Sequence, residues 1–222
     1  MNKNILLIWD RIGDYHLSRV KALEKQTGAT VYTADLAGTD ALYKWDSIAN
    51  SSHTVLSTKP AEQPDILHRF KIFRKILKEH NIDAMPYGRT EYHLFLAYAK
   101  LTGISTLIFS ESWYSRGKAK DFLKSILLKT LGDTFFVSGK RAYQHFTKNY
   151  HIKPANIISG YSVVDNAHFE KALDTKKNSP KELLCVARYS DEKNLLTLIQ
   201  AFEKSVLSEN YILRLVGDGP LR

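Results

Sequence analysis

The sequence predicts an α/β fold: a doubly wound parallel sheet, followed by the first βαβ unit of a second domain of the same kind. Three observations carry this expectation. Short apolar runs alternate with longer amphipathic runs along the whole chain, which is the pattern of parallel βαβ units. The polar groups capable of chemistry fall directly after the apolar runs, where open parallel sheets bind their ligands. A polar stretch, "DNAHFEKALDTKKNSPK" (165–181), divides a long first series of alternations from a short second one.

The elements follow in order. "ILLIW" (5–9) is a strand, and "YHLSRVKALEKQ" after it has helical character. "ATVYTA" (29–34) and "HTVLST" (53–58) are strands. "DILHRFKIFRKILKEH" (65–80) is an amphipathic helix: Ile66, Phe70, Phe73 and Leu77 repeat at helical spacing, and Arg69, Lys71, Arg74, Lys75 and Lys78 fill the polar positions. "IDAMPY" (82–87), "STLIFS" (105–110) and "DTFFVS" (133–138) are further strands, with helices over about 90–102, 117–131 and 139–149. Residues 1–164 thus form one Rossmann-like domain and 165–181 a linker. A new unit follows: "ELLCVA", "NLLTLIQAFEKSVL" and "YILRLVG". A lone βαβ unit leaves a sheet edge and a helix face without partners. The expectation is therefore that 182–222 begins a second, truncated domain, and that the chain as given folds in its first part but does not catalyse.

Composition narrows the partners. The 32 Lys plus Arg outweigh 23 Asp plus Glu, a formal net charge of +9, so an anionic partner is expected: nucleic acid, anionic lipid or a phosphorylated ligand. The single cysteine, Cys185, lies inside an apolar run and reads as packing; nothing in the cysteine usage argues against a reducing cytoplasm. No run approaches the ~20 apolar residues of a membrane-spanning helix. The eight histidines are scattered without metal-ligand spacing, and no phosphate-binding glycine motif of the P-loop or dinucleotide type is present.

The most informative stretch is "LCVARYSDEKN" (184–194). It places Arg188 and Lys193 on the loop between a strand and a helix. A strand exit, two cations and a helix N-terminus together suit a diphosphate. On spacing alone, the same cations also read as an ordinary solvated loop paired with Asp191 and Glu192.

"LLCVARYSDEKNLLTLIQAF", with "LRLVGDGPL" downstream, resembles the start of the donor-binding domain of family 4 retaining glycosyltransferases of the GT-B fold. "SGYSVVDNAHF" (159–169), "FSESWYSRGKAKDFLKSILL" and "SGKRAYQHF" resemble the acceptor-side domain of one subgroup, so the resemblance spans nearly the whole chain. It implies a GT-B-like fold and transfer of a hexosyl group from a nucleotide-sugar to a saccharide or lipid-linked acceptor, with retention. Arg188 and Lys193 fall on the residues that hold the donor diphosphate, and Gly217, Asp218, Gly219 and Pro220 on the family's donor-side turn. Ala187 stands where the family commonly has glycine. The resemblance further implies no cofactor and no essential metal, and places a donor-contacting pair of glutamates past Arg222.

Other residues carry two readings each. Gly13 and His16, with Arg19, follow the first strand and line a cleft loop or form a plain turn and a polar helix face. Glu111 leaves the fifth strand beside Trp113 and Tyr114; it is a candidate catalytic or acceptor-binding carboxylate, although some relatives carry histidine near this position. Lys140 and Arg141 start a helix and meet an anionic acceptor or solvent. The stretch 116–148 holds eight Lys or Arg against two Asp. Its helix "KAKDFLKSILLKTL" reads either as a contact with an anionic membrane surface, at the inner face of the membrane, or as a sheet-packed helix with snorkelling lysines. The alternatives to a glycosyltransferase are a basic nucleic-acid-binding protein without catalysis and a degenerate sugar-binding relative; no nucleic acid is expected for the favoured reading.

Overall fold

The computed structural model describes residues 3–39, 48, 51–60, 63, 65–87, 93–170 and 181–222. The chain forms two compact units, Met1–Asp165 and Asn166–Arg222.

The first unit is a seven-stranded, wholly parallel sheet with helices. Its strands are β1 (Asn4–Trp9), β2 (Thr30–Asp35), β3 (His53–Val55), β4 (Ala84–Tyr87), β5 (Ser105–Ser110), β6 (Thr134–Ser138) and β7 (Ile157–Gly160). The helices are α1 (Asp14–Thr27), α2 (Ile66–Glu79), α3 (His93–Leu101), α4 (Lys118–Leu131) and α5 (Gly139–Lys148). The sheet order is β3-β2-β1-β4-β5-β6-β7, so the chain winds outward from β1 on one side and then from β4 on the other. The β1/β4 junction is the topological switch at which such sheets open a crevice past their strand ends.

Alternation explains which residues fill the core. Leu6 and Ile8 of β1, Met85 and Tyr87 of β4, Ile108 of β5 and Phe135 and Val137 of β6 are buried. Phe73 and Leu77 of α2, Phe95 and Leu96 of α3, Leu128 and Leu131 of α4 and Phe146 of α5 join them in one cluster. Phe73 stacks on Phe95 with centroids 4.7 Å apart. Each such side chain buries roughly 1.5–3 kcal/mol of transfer free energy.

Two expectations are corrected here. Arg69, assigned to the polar face of α2, is buried; its guanidinium donates to the Pro60 carbonyl oxygen at 3.0 Å. Ile66, assigned to the apolar face, is exposed. The cause is the rotation of α2: the residues it buries are Arg69, Phe73, Ile76 and Leu77, one step from the expected stripe. In addition, β7 is a strand that the apolar pattern did not announce, because "IISG" offers only two apolar residues.

The second unit contains α6 (Asn166–Glu170), β8 (Glu182–Val186), α7 (Leu195–Glu203) and β9 (Ile212–Val216). β8 and β9 pair in parallel from Glu182↔Ile212 to Val186↔Val216. Leu183 and Cys185 point to the half-buried side, whereas Leu184 and Val186 are exposed. The stretch expected to be a linker thus opens with the short helix α6, and 171–180 lie outside the described residues.

Candidate functional site

Two surfaces concern the chemistry, one in each unit. In the first, a cavity of about 1200 Å³ opens at the carboxyl ends of the strands. Its aromatic wall comes from three strands: Trp9 of β1, Phe109 of β5 and Phe136 of β6, with successive centroids 5.5 and 5.3 Å apart. Such a row offers apolar faces on which a sugar ring stacks. Leu96 of α3 and Leu123 and Leu127 of α4 add an aliphatic wall. Its polar groups include Arg19, His93, Ser110, Glu111, Arg116, Lys124 and Ser162.

The segment after β7 is tied to both sides of this cavity. The Ser162 hydroxyl donates to the Glu111 carboxylate. Arg19 of α1 donates its Nε–H to the Val163 carbonyl oxygen at 2.9 Å and lies over the Tyr15 ring, 4.8 Å from the centroid. Glu111 is thus a carboxylate held at a strand exit with one oxygen engaged by a hydroxyl. Two arginines and a lysine stand in the same wall.

Gly13 and His16 stand between β1 and the first turn of α1, as expected, and both are buried there. Gly13 is buried with ordinary extended backbone (φ −115°) at the start of α1, and its N–H donates to His16 Nδ1 at 3.0 Å. His16 is only 2% exposed, packed between Trp9 and Tyr15 with centroids 4.9 and 3.8 Å away. Burial, helped by the Arg19 charge, pushes its pKa down to about 4. The imidazole is therefore neutral, and acceptance at Nδ1 places its proton on Nε2. From α1 it is Tyr15 and Arg19 that reach the cavity. Trp113 and Tyr114 are exposed, the former under the Arg141 guanidinium at 5.0 Å, and Lys140 is exposed at the first turn of α5. Of the polar loop that follows β4, "GRTEYH" (88–93), residues 88–92 lie outside the described residues.

Sequence reasoning passed over a second cluster at the same strand ends. Arg11 and Asp35, both buried, lie 3.6 Å apart. Asp35 also accepts from the Ile12 N–H at 2.6 Å and faces His53 Nε2 at 3.5 Å. Arg11 donates further to the Gly38 carbonyl oxygen. These bonds fasten the β1 exit loop to β2 and β3.

In the second unit, Arg188 and Lys193 do lie where β8 gives way to α7. Arg188 donates to Glu192 at 2.6 Å, so the ion pair of the solvated-loop reading is formed. Lys193 ends a short 3-10 turn (Asp191–Lys193), and Asn194 starts α7 in the left-handed region (φ 47°). The β8 and β9 exits are joined through their backbones: Ala187 N–H to Val216 at 3.0 Å, Tyr189 N–H to Asp218 at 2.9 Å and Leu221 N–H to Tyr189 at 3.0 Å. Gly217 and Gly219 are the residues that permit this approach. A Cβ on Gly219 would stand 2.4 Å from the Tyr189 carbonyl oxygen.

No protein-family model matches the chain, and no curated protein matches it in sequence. Solved structures do match. A glycosyltransferase from Rickettsia africae aligns with TM-score 0.63 and 16% identity over 98% of this chain and 68% of its own. The Anabaena protein HepE, in complex with UDP and glucose, aligns with TM-score 0.63 and 12% identity over 99% and 62%. A UDP-N-acetylglucosamine 2-epimerase from Rickettsia bellii aligns with TM-score 0.62 and 14% identity, again over 98% and 62%. The chain therefore spans about two thirds of the length of the structures it matches. At these identities the likeness concerns the fold, and the fold is GT-B-like: a Rossmann-like first domain and the opening βαβ unit of a second.

Proposed function

We propose that this chain carries the acceptor side and the first donor-side elements of a transferase that moves a hexosyl group from a nucleotide-sugar to a saccharide or lipid-linked acceptor, with retention of anomeric configuration. The observation that carries the proposal is the glycine-constrained pairing of the β8 and β9 exits, which holds the beginning of the loop that carries Arg188 and Lys193 between β8 and α7. In the reaction, the Arg188 guanidinium and the Lys193 ammonium stabilise the charge that develops on the departing diphosphate. The acceptor hydroxyl attacks from the face the leaving group vacates. Glu111 is proposed to orient that hydroxyl, and the Trp9–Phe109–Phe136 row to carry the acceptor's sugar. No metal or cofactor has a part in this proposal.

The fold alone leaves the reaction open, because glycosyltransferases and epimerases both share it. The resemblance of the Arg188–Lys193 and Gly217–Pro220 stretches to retaining transferases favours transfer. Nothing in the fold or the comparisons favours the nucleic-acid reading.

Two of the similar structures hold UDP, which makes it the first nucleotide to try. The test is an NMR titration of the chain with UDP and GDP. Expected are shifts at the amides of 188–195, saturating in the millimolar range or below, and a roughly tenfold to hundredfold weaker response in Arg188→Ala and in Lys193→Ala. Equal binding by wild type and both variants would remove the diphosphate role and return the two cations to the solvated loop.

A further inference from the structure

α4 exposes an apolar stripe that its own unit leaves uncovered. Asp121, Ser125, Leu128 and Leu131 face inward. On the outer side, Phe122 is 65%, Leu123 66% and Ile126 50% exposed. At 100° per residue these three occupy an arc of roughly 100°. The exposed Lys118 and Lys129 border that arc on one flank and the exposed Lys120 on the other, whereas the half-buried Lys124 turns onto the Tyr150 ring, 5.7 Å from its centroid. This is the reverse of a helix whose lysines cover the outward face.

The loop before α4 continues the surface. Trp113 and Tyr114 are exposed there and meet edge to face, 6.2 Å between centroids. Buried Asp121 ties that loop to the helix: it accepts from the Ser115 hydroxyl and from the Arg116 N–H. These two bonds hold its carboxyl below the usual range, the Ser115 contribution being the larger, so the anchor stays ionised. Aromatic side chains with a polar edge, aliphatic side chains and flanking lysines together match the boundary between headgroups and acyl chains.

We propose that the outer face of α4, with Trp113 and Tyr114, docks the first unit on an anionic bilayer. The apolar stripe enters the acyl boundary, and the lysines reach the lipid phosphates. Charge decides for a bilayer over a protein groove: three exposed lysines, Lys118, Lys120 and Lys129, frame the stripe, in a chain of net charge +9, and Asp121 is turned inward. Leu123 belongs both to this surface and to the cavity wall. The acceptor is accordingly a lipid-anchored one that meets the cavity at the membrane surface. That last step rests on the proposed transfer; the docking does not.

Sedimentation of the chain with vesicles of phosphatidylcholine, with and without about one third phosphatidylglycerol, tests the docking without any sugar transfer. Expected is binding to the anionic vesicles only, weakened by salt. Lys118→Glu with Lys120→Glu should weaken it on the order of a hundredfold, and Phe122→Ser with Ile126→Ser at least about tenfold. Circular dichroism confirms that both exposed-site variants fold. Three results overturn the proposal: no binding to anionic vesicles, equal binding to neutral ones, or full binding by both variants. Self-association by light scattering that the Phe122–Ile126 variant abolishes, without vesicle binding, would assign the stripe to a second copy instead. Nucleotide titration of the same samples reports on the second unit independently, so either proposal can fail alone.

Discussion

Gly217 lies so close to Ala187 that a Cβ on it would stand 1.8 Å from the Ala187 carbonyl oxygen. The two residues leave neighbouring parallel strands, β8 and β9, and their contact decides where the following cations sit. Gly217→Ala must push the loops apart or strain the backbone, at a cost on the order of 1–3 kcal/mol. Hydrogen exchange reads the result directly. The Tyr189 amide, bonded to Asp218, and the Leu221 amide, bonded to Tyr189, should exchange at least about tenfold faster in the variant. Nucleotide binding should weaken with them. Unchanged exchange at both amides would show that the close approach is not a constraint.

The Arg188–Glu192 pair sets a second expectation. The pair is partly exposed and therefore contributes at most about 1 kcal/mol, so a diphosphate can displace Glu192. Glu192→Gln removes that ion pair and a negative charge from the loop. UDP affinity should rise by up to about fivefold. A fall in affinity on calorimetry would mean that Glu192 organises Arg188 for the ligand.

Glu111 is expected to act on the acceptor side, where Ser162 holds one of its oxygens. In a version of the protein that catalyses the transfer, Glu111→Gln should lower kcat and kcat/KM together while leaving donor binding unchanged, the pattern of an interaction made in the transition state. Ser162→Ala should have the same sign and a smaller size, because it removes only the orienting bond. Wild-type kinetics in Glu111→Gln would make the residue structural.

Asp35→Asn probes the buried cluster at the strand ends. The substitution keeps the shape but takes the Asp35 charge away from Arg11 in a site where both are buried. Breaking a buried pair from one side costs about 3–5 kcal/mol. Urea unfolding should show a loss of that order, and a loss below about 1 kcal/mol would mean that Arg11 re-pairs or reaches water.

How far the sequence revealed this molecule depends on the period of each segment. "STLIFS" occupies 105–110 as a strand in both readings, because a strongly apolar run bounded by polar residues leaves no other choice. β7 escaped because its pairing with β6, rather than its composition, makes it a strand. Arg69 escaped because its partner, the Pro60 carbonyl, comes from a loop whose position no local pattern encodes. In the second unit, the position of Arg188 and Lys193 between β8 and α7 was legible from the order of strand, polar loop and helix. The Arg11–Asp35 cluster and the Trp9–Phe109–Phe136 row were not, since their members meet only across strands far apart in sequence. The aromatic row did leave a trace: each ring sits within the last three positions of its strand, on one face of the alternation.

His16 gives the last expectation, a pH dependence. Its folded pKa is about 4, against 6.5 for an ordinary histidine, because burial beside Trp9 disfavours the charged ring and Arg19 adds repulsion. Between those values the unfolded chain binds a proton that the folded one does not. The contribution of His16 is therefore fully present above about pH 6.5 and lost as pH falls toward 4, by up to about 3 kcal/mol. Comparison with a variant isolates the contribution of this one ring. In His16→Asn the side-chain oxygen can still accept from the Gly13 N–H, but nothing at that position titrates. The stability difference between wild type and variant, from urea unfolding at about pH 7 and about pH 4.5, should shift toward the variant by roughly 2–3 kcal/mol on acidification. Over the same range, the wild-type His16 ring resonances should hold their neutral positions down to about pH 5. Parallel pH curves for the two proteins, or a ring that titrates near 6.5, would place His16 in contact with water and bring it back to the cavity wall.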